Sequence, residues 1–288
     1  MTENALLVDP AWLADRLDDP GVLVLDCRVT RVPQPSGPSL WQSGRGEWEA
    51  GHIPGAGYLH MVDDLSDPDH PVPFMLPVPA RIAAVLARFG MRPDTTIVVY
   101  GAAADMAAHR AWWVLTASGC ADVRVLDGGL KRWQAEGRKL DAGAVDFPLA
   151  PPLDLQPRPG MVADREAVRR AIDDPGACIA NALPEAMFRG EGEQVYGRRG
   201  RIAGSVSLPA ERLIDPDSGC FRPVADLQAL FAARIPAGSE RVIPYCGGGI
   251  AASTLALALT AAGHTGIQLY DGSLMDWALD PDAPMETG

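Results

Sequence analysis

The stretch Tyr245-Cys246-Gly247-Gly248-Gly249-Ile250-Ala251-Ala252-Ser253 decides how this chain is read. Upstream of it, Arg241-Val242-Ile243-Pro244-Tyr245 is apolar and strand-like. Downstream, the alanine- and leucine-rich run over residues 250–262 predicts a helix that begins at once. The order is strand, cysteine, glycine loop, helix. Consecutive glycines let the backbone curl with its N–H groups inward, and the positive end of the following helix points into the same space, so the loop favours an anion. A thiolate held there is stabilised and becomes nucleophilic without a neighbouring histidine. Cys246 is therefore the candidate nucleophile, and the amides of Gly247, Gly248, Gly249, Ile250 and Ala251 are the candidate anion cradle. The plain alternative is a small buried hydrophobe followed by a tight turn.

Working outward, 288 residues suit two domains of ordinary size, and 47% apolar residues can build a core in each. A net charge of −12 argues against a nucleic-acid groove or an anionic membrane surface, both of which need clustered Lys and Arg. The five cysteines, Cys27, Cys120, Cys178, Cys220 and Cys246, are odd in number and widely spaced, which suggests neither a disulfide framework nor a zinc site. His60, His70, His109 and His264 lack ligand spacing, so no metal and no cofactor is expected. The acidic, amphipathic first 20 residues do not resemble a signal peptide and no run is long enough to span a membrane. A cytoplasmic protein is expected.

Along the chain, Asp9 caps a short predicted helix with Pro10 in its first turn, and the strand Val22-Leu23-Val24-Leu25-Asp26 follows. Residues 31–47, with Pro, Ser and Gly, read as a loop, and the proline-rich residues 66–79 as irregular. Helical periodicity resumes over 79–89, and Thr96-Ile97-Val98-Val99-Tyr100 has the continuous apolar character of a buried parallel strand. A loop over 101–105, a helix through Arg110-Ala111-Trp112-Trp113 and a strand Val123-Arg124-Val125-Leu126 come next. Prolines recur over 141–160, which reads as a linker.

The second half repeats the first at a nearly constant spacing. Gly51-His52-Ile53-Pro54-Gly55 corresponds to Gly200-Arg201-Ile202-Ala203-Gly204, Tyr100-Gly101 to Tyr245-Cys246, and Asp127-Gly128-Gly129-Leu130 with Trp133 to Asp271-Gly272-Ser273-Leu274 with Trp277. Alternating strand and helix patterns imply an α/β fold of two tandem units, each a parallel β-sheet flanked by helices, with sites at the carboxyl ends of strands. Cys246 sits at such an end, and its counterpart in the first unit is Gly101.

These residues resemble the two-domain rhodanese-like sulfurtransferases, which include thiosulfate and 3-mercaptopyruvate sulfurtransferases. The resemblance runs through Leu25-Asp26-Cys27-Arg28, Gly51-His52-Ile53-Pro54-Gly55-Ala56, Val98-Val99-Tyr100, Arg110-Ala111-Trp112-Trp113, Asp127-Gly128-Gly129, Phe188-Arg189-Gly190-Glu191 and the Cys246 loop. It implies a catalytically silent rhodanese-like domain over residues 1–140, a proline-rich linker over 141–160 and a catalytic rhodanese-like domain over 161–288. It also implies that Cys246 takes sulfane sulfur from a small anionic donor as a persulfide and passes it to cyanide, a thiol or a protein acceptor. The amides that favour the thiolate would also hold the persulfide.

Several positions depart from the family pattern. Thiosulfate-type loops carry cations where Gly247 and Gly248 stand, and mercaptopyruvate-type loops carry hydroxyls where Gly248 and Ala251 stand. The histidine that precedes Met-Leu-Pro in the mercaptopyruvate group is Phe74, and the Asp-Ala-Arg that opens the catalytic domain reads Asn181-Ala182-Leu183. Arg189, or one of Arg198, Arg199 and Arg201, is the expected substitute cation for the donor, and Asp63 is a candidate for positioning it. A solvated basic loop and a loop carboxylate are the plain alternatives. His52 is expected to be structural, as are Cys27, Trp112 and Trp113.

Two other functions compete. A cysteine phosphatase needs Cys-x5-Arg, and Ala252 occupies the arginine position, so the main cation for a phosphoryl transition state is missing. A non-catalytic or redox-sensing sulfur-carrier module would keep a reactive Cys246 without turnover of small donors. A dinucleotide site fails because no GxGxxG follows the strand.

Overall fold

A computed structural model describes residues 6–103, 106–192 and 194–288. The first sheet is five-stranded and parallel throughout, in the order Leu7–Val8, Asp122–Leu126, Thr96–Tyr100, Val22–Asp26, Gly57–Tyr58. Its central strands are buried beyond their first residues, as their continuous apolar runs require when helices cover both faces. Register is fixed by pairs such as Val24 with Val98 and Ile97 with Val123. The described part of the 101–105 loop ends at Ala103, and the remainder lies outside the described residues.

The second sheet reproduces that order. Ala177–Asn181 lies between Val206–Ser207 and Arg241–Tyr245, all parallel. A pair formed by Leu269–Tyr270 and Val162–Ala163 joins it through a parallel bridge from Val242 to Ile267. An antiparallel pair, Arg201–Ile202 with Met285–Glu286, is added at the periphery. Between the two sheet units, residues 142–160 contain no helix or strand.

Asp9 caps the Pro10–Ala14 helix as its sequence suggests, with Oδ1 accepting the Trp12 amide at 2.7 Å. Residues 31–47 are more ordered than a loop. Val29–Val32 and Leu40–Ser43 form an antiparallel hairpin, and the Arg45–Ala50 helix follows. The proline, serine and glycine residues that suggested a loop are concentrated in its 33–39 connection. Among the described residues no helix is long and apolar enough to cross a membrane.

The helices Met106–Ala117 and Ile250–Ala261 are apolar around nearly their whole circumference and bury almost every residue. A helix without a polar face has to be covered on all sides. These two cover each other, and His109 Nδ1 meets Thr254 Oγ1 at 2.9 Å across their contact. The glycine loop therefore leads directly into the seam between the two sheet units.

Candidate active site

The Arg241–Tyr245 strand delivers Cys246 at its carboxyl end, and the strand end is held firmly. The Tyr245 hydroxyl accepts the Ile202 amide at 3.0 Å and pairs with Ser205 Oγ at 2.9 Å, while the Tyr245 carbonyl accepts the Ala182 amide at 2.8 Å. The first unit repeats the device, with the Tyr100 hydroxyl accepting Ile53 N–H at 3.1 Å and its carbonyl accepting Cys27 N–H at 2.8 Å. His52 is buried, stacked on Trp48 and bonded through Nδ1 to the Trp48 carbonyl at 2.8 Å, which makes its part in that corner structural.

The loop is clamped from its far side by the short Ser273–Trp277 helix. Carbonyls of Cys246 and Gly247 accept the amides of Leu274 and Met275 at 3.1 and 2.9 Å, as Gly101 and Ala102 accept Leu130 and Lys131 at 2.9 and 2.8 Å in the first unit. Ser273 adds a second hold. Its Oγ donates to the Tyr270 carbonyl at 2.9 Å and accepts the amides of Cys246 at 3.0 Å and Gly249 at 3.1 Å. It does so with a left-handed φ of 49° in a fully buried position, where its repeat counterpart is Gly129 at φ 56°. A non-glycine residue accepts that strain when its surroundings require it.

Two of the glycines are required for distinct reasons. Gly249 has φ 78° at the helix cap. Gly247 lies against the Tyr196 ring, where a Cβ would come within 2.1 Å of Tyr196 Cζ. Burial pushes the Tyr196 hydroxyl up to about 12, with Cys246 adding to the rise and Arg31 opposing it. Tyr196 therefore keeps its proton at neutral pH.

Cys246 itself is 2% exposed and lies at the wall of a cavity of about 440 Å³ between the two units. Gly247, Gly248, Ile250 and Ala251 line the cavity beside it. Among the described residues no protein acceptor takes their four amides, which is the arrangement an anion cradle needs. Gly249 is placed differently: it does not line the cavity, and its amide is committed to Ser273. On the side of the Cys246 unit the wall also includes Leu183, Met187, Tyr196, Glu211, Ile214 and Met275. The other unit contributes Phe74 and Met106, together with Arg31, Ser39 and Trp41 of the hairpin.

Behind the loop lies a buried ion pair. Arg110 Nη1 donates to Asp271 Oδ1 at 2.6 Å, Nη2 donates to the Phe74 carbonyl, and the Leu76 amide donates to Asp271 Oδ2 at 2.6 Å. A Cβ on Gly249 would meet both partners of the pair, so the pair forms the floor on which the loop rests.

The structure does not bring Arg189, Arg201 or Asp63 to the cavity lining. Arg189 pairs with Glu191 at 3.1 Å. Arg201 pairs with Glu286 at 3.2 Å, donates to the Gly288 carbonyl at 2.7 Å and lies over the Phe188 ring. Asp63 is exposed and meets His60 Nδ1 at 2.8 Å. Arg198 donates to the carbonyls of Asp280 and Ala283 at 3.1 and 2.8 Å. Among the described residues the cation of the lining is Arg31, which lies in the stretch expected to be a loop; the backbone pairing of Val29–Val32 with Leu40–Ser43 presents it. Ser273 carries no local motif of its own; its signal is the repeat, which sets it where Gly129 has a left-handed backbone.

The repeat exposes one more difference. In the first unit Arg28 Nε grips both oxygens of Asp26, at 3.0 and 2.9 Å, and the Arg28 amide donates to Asp26 Oδ1 at 2.9 Å. In the second, the Leu183 amide donates to Asn181 Oδ1 at 2.8 Å in the same manner, but both charges are gone. Among the described residues buried Asn181 Nδ2 has no partner at full hydrogen-bond geometry, and its side chain faces the Tyr245 hydroxyl. The pair is neutralised as a unit, which avoids a lone buried carboxylate.

Comparison with known proteins agrees with the repeat. The rhodanese-like domain family matches residues 9–136 and 171–280. The chain is 32% identical to the 3-mercaptopyruvate sulfurtransferase of Escherichia coli, over 96% of this chain and 95% of that protein. It is also 32% identical to a putative thiosulfate sulfurtransferase of Mycobacterium tuberculosis, over 98% and 97% of the two chains. Among solved structures, that of SseA from Escherichia coli, described as a 3-mercaptopyruvate sulfotransferase with the rhodanese fold, superposes with a TM-score of 0.82 at 32% identity. It covers 93% of this chain and 98% of its own. Two sheets of one strand order and a family match in each half have a single reading: the chain belongs to the rhodanese-like family and is a tandem-domain sulfurtransferase.

Proposed function

We propose that Cys246 is the nucleophile that accepts sulfane sulfur from a small anionic donor, becomes a persulfide, and delivers that sulfur to a thiol, cyanide or a protein thiol. The observation that carries this reading is the placement of Cys246 in a glycine loop at the start of a twelve-residue helix, at the wall of a 440 Å³ cavity. The amides of Gly247, Gly248, Ile250 and Ala251 favour the thiolate and then the persulfide anion. The unit over residues 1–140, with Gly101 at the cysteine position, serves as a non-catalytic partner that closes the cavity, and residues 141–160 link it to the catalytic unit over 161–288.

Of the donors used by the relatives' names, 3-mercaptopyruvate fits this lining better than thiosulfate. Among the described residues the charged side chains of the lining are Arg31 and Glu211, so the lining offers one cation, enough to meet a single carboxylate but not both charges of a dianion. In the first half-reaction the Cys246 thiolate attacks the donor sulfur and the carbon–sulfur bond breaks. Its electron pair remains on carbon as the enolate of pyruvate, which then takes a proton. The test is intact mass after incubation with each donor, beside Cys246→Ser. One added sulfur on the parent protein and none on the variant is expected. A folded protein with a free thiol that acquires sulfur from neither donor refutes the reading.

A further inference from the structure

In this site the cation among the described lining residues comes from the hairpin of the first unit and not from the unit that carries Cys246. The arginine position that the first unit keeps as Arg28 is Leu183 in the second, 6% exposed and lining the cavity. The neighbouring carboxylate is Asn181. Arg189 and Arg201, the nearby basic residues of the catalytic unit, are paired with Glu191 and Glu286 outside the lining. Among the described residues the cation of the lining is Arg31, steadied by an Nε bond to Ser39 Oγ at 3.0 Å and presented by the Val29–Val32 strand. The cavity itself, at about 440 Å³, falls in the ~300–1,000 Å³ range that encloses ligands much larger than a five- to seven-atom donor. Trp41, Phe74, Leu183, Met187 and Ile214 make most of its side-chain wall apolar.

We propose that Arg31 is the specificity-determining cation of the site and that, with the apolar wall containing Leu183, it selects as sulfur acceptor an organic thiol with an extended apolar body and a single carboxylate. This rests on the persulfide reading above. The acceptor thiolate attacks the outer sulfur of the Cys246 persulfide, a new sulfur–sulfur bond forms, and the bond to Cys246 Sγ breaks with its electron pair left as the Cys246 thiolate. No oxidant or reductant is consumed. Arg31 holds the carboxylate at the far end of the chain while the methylenes displace water from the wall.

The experiment loads Cys246 with sulfur, verifies it by intact mass, and measures kcat/KM for ω-mercaptoalkanoates of increasing length beside the matching ω-mercaptoalkanols, whose thiols are of like acidity. Burial of one methylene supports up to about fourfold per added carbon. A rise of at least about twofold per carbon is expected until the cavity is filled. In Arg31→Gln, at an exposed hairpin position, the acid-to-alcohol ratio of kcat/KM is expected to fall about tenfold or more. Loaded protein that shows no dependence on chain length, or an acid-to-alcohol ratio unchanged by Arg31→Gln, overturns the proposal and leaves the persulfide reading standing. Failure of Cys246 to load at all removes both.

Discussion

Replacing Arg110 with leucine tests whether the ion pair under the glycine loop holds the two units together. The side chains of Arg110 and Asp271 are 1% and 2% exposed, and they meet at 2.6 Å across the seam. Leucine removes the guanidinium from Asp271, from the Phe74 carbonyl and from its place 4.7 Å over the Trp113 ring. Asp271 is left as a buried charge with the Leu76 amide as its remaining donor among the described residues. Breaking a buried pair in this way costs about 3–5 kcal/mol, a large share of the ~5–15 kcal/mol by which a folded protein is stable. The assay is urea unfolding, followed together by tryptophan fluorescence and circular dichroism so that a two-state transition can be recognised. Arg110→Leu and Asp271→Leu are each expected to lose stability in that range, and the double variant to lose less than the sum by about 2 kcal/mol or more. Arg110→Lys, which keeps charge but not the fork, is expected between wild type and Arg110→Leu. A loss below about 1 kcal/mol for Arg110→Leu, the scale of an exposed pair, or strict additivity in the double variant, refutes the reasoning.

Two further outcomes follow from the same seam and loop. Ser273→Ala removes the acceptor of two buried amides while keeping the strained backbone, whereas Ser273→Gly removes the acceptor and relieves the strain. Each orphaned amide costs about 1–3 kcal/mol, so both variants melt below wild type, with the alanine variant lower by about 1 kcal/mol; equal melting temperatures for all three proteins contradict the role given to this hydroxyl. Burial at the helix contact lowers His109 to about 3 from 6.5, so the folded state holds it neutral while the unfolded chain takes up a proton. Its stabilising contribution is therefore complete above about pH 6.5 and is lost as pH falls towards 3, by about 2 kcal/mol at pH 5. The difference in unfolding free energy between pH 7.5 and pH 5 is expected to shrink by that amount in His109→Gln; an unchanged difference contradicts it.

The sequence by itself determined the fold class, the repeat and the cysteine loop, because each depends on local rules. Continuous apolar strands such as Thr96–Tyr100 are recognisable without their neighbours, and so is a cysteine set between a strand and three glycines. The internal repeat located the second sheet from the first, down to the equivalence of Tyr100 with Tyr245. The hairpin at 29–43 was hidden because its proline- and serine-rich turn outweighs two four-residue strands in any local reading. Only the tertiary structure decided which cation shares the cavity with Cys246. Arg189 and Arg201 lie in the half that carries Cys246, but their charges are engaged by Glu191 and Glu286. Arg31 lines the cavity from the other half of the chain because the helices Met106–Ala117 and Ile250–Ala261 bury each other and so bring the two units together around it. Composition counts charges but does not pair them; pairing depends on distances that the chain acquires only when the two sheets close on a common cavity.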